Sequence, residues 1–81
     1  MNKVLVIEDD PEIVDLLEIH LKDLSCDLIK TYSGEDGLAA IKSNPLDLVI
    51  LDVMLPGIDG IEVCRRIRSE QFNVPVLMLT A

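Results

Sequence analysis

The sequence predicts an α/β sandwich, a parallel sheet with helices packed on its faces. Two observations carry this. Three short apolar runs, Val4–Ile7, Leu48–Leu51 and Val74–Leu79, are continuous rather than alternating and rich in β-branched residues. That is the pattern of strands buried on both faces. Between the runs, apolar residues recur at three- and four-residue spacing behind residues suited to starting helices. The resulting order is β-α-β-α-β-α-β, with right-handed crossovers expected between parallel strands.

The first strand is Val4–Ile7. Asp10-Pro11 then reads as the N-cap and first residue of a helix. Ile13, Leu16, Leu17, Leu21 and Leu24 are expected on its buried face, with Glu12, Asp15, Glu18 and Lys22 opposite. His20 falls near the middle of the apolar side and is expected to be partly buried. Asp27–Thr31 is a weaker run, suited to an edge strand. Ser33-x-x-Asp36 opens a second helix in the manner of a capping box, and that helix carries Leu38, Ala40 and Ile41. Pro45 marks the approach to the third strand. Asp59-x-x-Glu62 opens a third helix with Ile61, Cys64 and Ile67 as its expected stripe. Pro75 sits at the start of the last strand, where a helix must already have ended.

Eighty-one residues suffice for one domain, 1–81. Thirteen Leu, nine Ile and eight Val stand against one Tyr and one Phe, so the core is aliphatic. A formal charge of −8 argues against nucleic-acid binding, which needs a basic footprint, and against adhesion to an anionic membrane. No apolar stretch approaches the roughly 20 residues of a spanning helix, and no signal peptide is visible, so a cytoplasmic location is expected. Cys26 and Cys64 are isolated thiols, and His20 cannot complete a zinc site with them. No Gly-rich phosphate-binding loop of the G-x-x-x-x-G-K or G-x-G-x-x-G type is present.

Open parallel sheets bind ligands at the carboxyl ends of their strands. Here the first strand ends in Glu8-Asp9-Asp10, the third in Asp52 and the fourth in Thr80. If those strands are neighbours, the carboxylates and the hydroxyl share one crevice. Clustered carboxylates repel one another, which raises some of their pKa values unless a cation lies among them. Oxygen-only ligands of this kind suit Mg²⁺. Helix capping explains Asp10 but not Asp52, which follows an apolar strand and precedes Val53-Met54-Leu55-Pro56-Gly57.

Three segments together, Val4 to Asp10, Leu48 to Gly60 and Pro75 to Ala81, resemble the receiver domains of two-component response regulators. The resemblance implies a partial flavodoxin-like (CheY-like) three-layer sandwich with parallel strand order 2-1-3-4. It implies that Asp52 accepts a phosphoryl group from a histidine kinase in a Mg²⁺-dependent reaction. Asp9 would ligate the Mg²⁺ directly and Glu8 through water, with Asp52 and the Met54 main-chain carbonyl as further ligands. Thr80 would hydrogen-bond a phosphoryl oxygen and move when the domain switches, and Ala81 would lend a backbone N–H. Such a module is no enzyme acting on a separate substrate, although the parent domain catalyses its own phosphoryl transfer and dephosphorylation. The Met-Leu-Pro-Gly-x-Asp-Gly stretch most resembles regulators with a winged-helix DNA-binding output domain.

The family pattern continues beyond Ala81 with a helix, a strand and a further helix, and its phosphate-pairing Lys lies at the end of that strand. Lys3, Lys22, Lys30 and Lys42 do not match that position. The 81 residues therefore read as a truncated receiver domain that keeps Mg²⁺ binding and is impaired in phosphoryl transfer. The alternative reading is a self-associating structural fragment, pairing through strand 4 or helix 1. A Mg²⁺-dependent phosphatase with an aspartyl nucleophile is disfavoured, because its acid/base Asp would stand where this chain has Met54.

Overall fold

The computed structural model describes residues 2–70 and 72–79. Four strands alternate with three helices: β1 (Asn2–Ile7), α1 (Pro11–Asp23), β2 (Cys26–Thr31), α2 (Gly34–Ser43), β3 (Leu48–Asp52), α3 (Gly60–Ser69) and β4 (Val76–Leu79). All pairings are parallel, in the order β2-β1-β3-β4. This is the flavodoxin-like order that the resemblance implied.

Alternation along β1 assigns its side chains to two separate cores. Leu5 and Ile7 join Val49, Leu51, Ile41, Val63 and Ile67 beneath α2 and α3. Val4 and Val6 join Ile50 and Val14 beneath α1. The sheet is thus the middle of three layers, which is why its central strands carry unbroken apolar runs. The caps act as the sequence suggests. The side chains of Asp10, Ser33 and Asp59 accept hydrogen bonds from the backbone N–H groups of Glu12, Asp36 and Glu62, satisfying donors that the first helical turn leaves open.

The strands differ at their edges from the apolar runs. β1 begins at Asn2, because the Lys3 N–H donates to Asp47 Oδ2 at 2.7 Å and the register continues to Asn2 opposite Cys26. β4 begins at Val76 rather than Val74, because Arg68 Nη1 draws the carbonyls of Phe72 and Val74 away at 2.9 and 2.8 Å. Pro75 still accepts from the Val49 N–H.

The helix faces are rotated from those expected. In α1 the sheet is met by Val14, fully buried, with Leu17 and Leu21 beside it. Ile13, Leu16 and Leu24 are 39%, 57% and 70% exposed, and His20 is exposed rather than partly buried. The apolar side of α1 is wider than its contact with the sheet, and the 14-17-21 row takes that contact. In α3 the row is Val63 and Ile67, with Cys64 half-buried and Ile61 exposed.

Candidate functional site

The register sets two acids side by side. Ile7 of β1 lies opposite Leu51 of β3, so the next residues, Glu8 and Asp52, emerge together at the carboxyl edge of the sheet. Asp9 follows as the chain turns into α1. One carboxylate oxygen from each of Glu8, Asp9 and Asp52 lies within 4.8 Å of the other two. These acids, with Asp10, Ile13, Met54 and Leu79, line a cleft of about 360 Å³. A larger cleft of about 660 Å³ lies between the α2–β3 and α3–β4 loops, at the opposite end of the sheet. It gathers no acidic group beyond Asp47.

Glu8 is the unusual member. It is only 4% exposed and is the one buried charged side chain among the described residues. Burial pushes its carboxyl from the ordinary 4.5 up to about 7. The Asp10 N–H opposes this by donating to Glu8 Oε2 at 3.0 Å, while hydrogen bonding with Asp9 and the neighbouring charge of Asp52 add to the rise. A carboxyl so placed holds a proton that a cation can replace. Asp52 is held differently: the Met54 N–H donates to its Oδ1 at 3.0 Å.

The donor set fits Mg²⁺. Three hard carboxylate oxygens converge, one acid is raised by crowding and burial, and the cleft is open enough for the waters this ion retains. Glu8, Asp9 and Asp52, all singled out in the sequence, are therefore brought together, and Met54 lines the same cleft. Thr80 and Ala81 lie outside the described residues. Sequence reasoning missed Ile13 and Leu79 as walls of the cleft, because both read simply as core positions. It also missed the bond from the Met54 amide to Asp52, for which an Asp two residues before a turn is the only signal.

A family model of the response regulator receiver domain matches residues 4–81. The chain is 44% identical over 80 residues to the alkaline phosphatase synthesis transcriptional regulatory protein PhoP of Bacillus subtilis (strain 168), covering 99% of this chain and 33% of that protein. It thus spans about a third of the length of that curated relative. Among solved structures, the response regulator TrrA of Thermotoga maritima in complex with Mg(2+)-BeF superposes with a TM-score of 0.95 at 37% identity, over 100% of this chain and 70% of that one. The same regulator in complex with the histidine kinase ThkA gives a TM-score of 0.93 at 37% identity, again over 100% and 70%. No described helix is long and apolar enough to cross a membrane. A parallel 2-1-3-4 sheet with its acids gathered at one edge, matched by the family along nearly its whole length, makes this chain a member of the response regulator receiver domain family.

Proposed function

We propose that this chain is the phosphoacceptor module of a two-component response regulator, with Asp52 as the acceptor and a histidine kinase as the donor. The observation that carries the reading is the convergence of Glu8, Asp9 and Asp52 at the end of β1 and β3. The carboxylate of Asp52 forms the new bond to phosphorus as the phosphorus–nitrogen bond of the kinase phosphohistidine breaks. Asp9, Asp52 and the Met54 main-chain carbonyl hold Mg²⁺, with Glu8 acting through water. Bound there, the ion supplies positive charge against the charge that gathers on the transferring group. Thr80 is the hydroxyl proposed to receive a phosphoryl oxygen. The relative named as a transcriptional regulator supports a DNA-binding output domain in the parent protein.

Among the described residues the cleft holds four acids and no Lys or Arg. Phosphorylation adds about 1.5–2 further negative charges, so transfer to the 81-residue chain by itself is expected to be slow and Mg²⁺-dependent. Intact mass spectrometry after incubation with Mg²⁺ and a small acyl phosphate tests this. A single phosphoryl adduct is expected on the chain and none on Asp52→Asn. An adduct that survives Asp52→Asn overturns the assignment.

The second reading, self-association without acceptor activity, rests on exposed apolar surface. Leu16 and Ile19 of α1 and Leu24, which caps it, are 57%, 60% and 70% exposed, and Leu77 of β4 is 52% exposed. Among the described residues β4 pairs only with β3, and an open apolar edge invites another strand. Light scattering across a concentration series should show growth of the mean mass. A constant monomer mass removes this reading, and a chain that binds Mg²⁺, self-associates and takes up no phosphoryl group favours it.

A further inference from the structure

We infer that Gly60 is a positioning residue for Asp52, acting through one peptide unit. This deepens the acceptor reading of Asp52 and rests on it for its metal readout. The Gly60 N–H, at the start of α3, donates to the Val53 carbonyl at 3.0 Å. The N–H of that same peptide unit belongs to Met54 and donates to Asp52 Oδ1 at 3.0 Å. A peptide unit is planar and stiff, so its two ends move together. Anchoring the carbonyl to α3 therefore sets the direction in which the amide presents itself to the carboxylate.

The approach leaves no room for a side chain. A Cβ at Gly60 would collide with the Asp52 carbonyl oxygen and would lie 2.7 Å from Val53 Cα and 2.9 Å from the Asp52 carbonyl carbon. All three are backbone atoms, which cannot swing aside as a side-chain terminus can. The Val53 N–H is meanwhile tied to the Leu79 carbonyl at 3.1 Å on the β4 side. The end of β3 is thus held between β4 and the first turn of α3, and any added Cβ shifts the segment that carries the acceptor. Gly37 is the useful contrast. A Cβ there would press on the buried side chain of Ile7, with Cγ1 at 2.7 Å, and on none of the backbone at the end of β3.

Gly60→Ala and Gly37→Ala test this, with two readouts on each. The first is the exchange of the Met54 amide relative to that of Val49 on the same strand, followed by ¹⁵N-resolved NMR without metal. The second is Mg²⁺ affinity by calorimetry. Folded Gly60→Ala is expected to exchange Met54 about tenfold faster relative to Val49 and to bind Mg²⁺ about tenfold more weakly. Gly37→Ala, which presses on a side chain and not on the Val53–Met54 peptide, should leave the Met54 exchange ratio unchanged whatever it costs in stability. A folded Gly60→Ala with both values unaltered overturns the inference. If Gly60→Ala does not fold, chemical synthesis of the chain with an ester in place of the Asp59–Gly60 amide removes the donor without adding a Cβ. Faster Met54 exchange in that chain supports the inference, and unchanged exchange overturns it. If the parent chain binds no Mg²⁺, the acceptor reading fails at the metal, while the Met54 amide still decides the role of Gly60.

Discussion

Glu8→Gln is expected to raise the melting temperature of the metal-free chain by about 10 °C at about pH 8, and to change it little at about pH 4. Glu8 has its folded pKa raised from 4.5 to about 7, with burial the chief cause. Between those values the folded state holds a proton that the unfolded state has lost. Stability from this group is therefore greatest below 4.5, falls as pH rises through the window, and stays low above about 7. The full shift corresponds to a few kcal/mol, and water entering the open cleft reduces this to about 2 kcal/mol. Gln has the same shape and never ionises, so it escapes the loss. Calorimetric scans of both chains against pH check the window. Mg²⁺ should reverse the ranking at high pH, because the cation stabilises the ionised acid cluster and finds one charge fewer in Glu8→Gln. A pH-independent gap between the two chains would show that Glu8 ionises in the fold as it does in water.

Leu51→Ala is expected to cost about 2–5 kcal/mol and to lower the urea midpoint sharply. Leu51 is wholly buried in β3, opposite Ile7 on one side and Met78 on the other, and belongs to the core beneath α2 and α3. A domain of this size carries about 4–12 kcal/mol in total, so one such cavity removes a large part of it. Because Asp52 is the next residue, Mg²⁺ binding should disappear with the fold. Leu16→Ala, at 57% exposure, should shift stability by no more than about 0.5 kcal/mol. Urea denaturation followed by circular dichroism compares the two. Equal midpoints would mean that the buried row of α1 has been placed on the wrong side.

The contrast between Leu51 and Leu16 also shows how far the sequence could be read. Leu48–Leu51 is apolar on both faces, and only a strand covered from both sides needs that, so β3 and its depth were legible at once. On α1, apolar residues occupy more than one row, and the helical period alone does not say which row meets the sheet. The structure selects Val14, Leu17 and Leu21 and leaves Ile13, Leu16 and His20 outside. Ile61 is exposed on α3 for the same reason, while Val63 and Ile67 face inward. The start of β4 depended on Arg68, whose bonds to the Phe72 and Val74 carbonyls span the turn. A long side chain's choice of partner leaves no periodic trace.

For the site the division is similar. The acids at positions 8, 9 and 52 stand at the ends of apolar runs, and strand ends of a parallel sheet lie along one edge. Local pattern was enough to nominate them. Their meeting within 4.8 Å required β1 and β3 to be neighbours in register, a long-range pairing that the resemblance implied and composition could not supply. What the sequence by itself determined was the alternation of elements, their caps and the identity of the acids, because these follow from short-range sterics, hydrogen bonding and periodicity. Only the tertiary structure decided the burial that raises Glu8, the exposed rows of α1 and α3, and the backbone contact at Gly60, because each depends on which distant segment fills the space beside it.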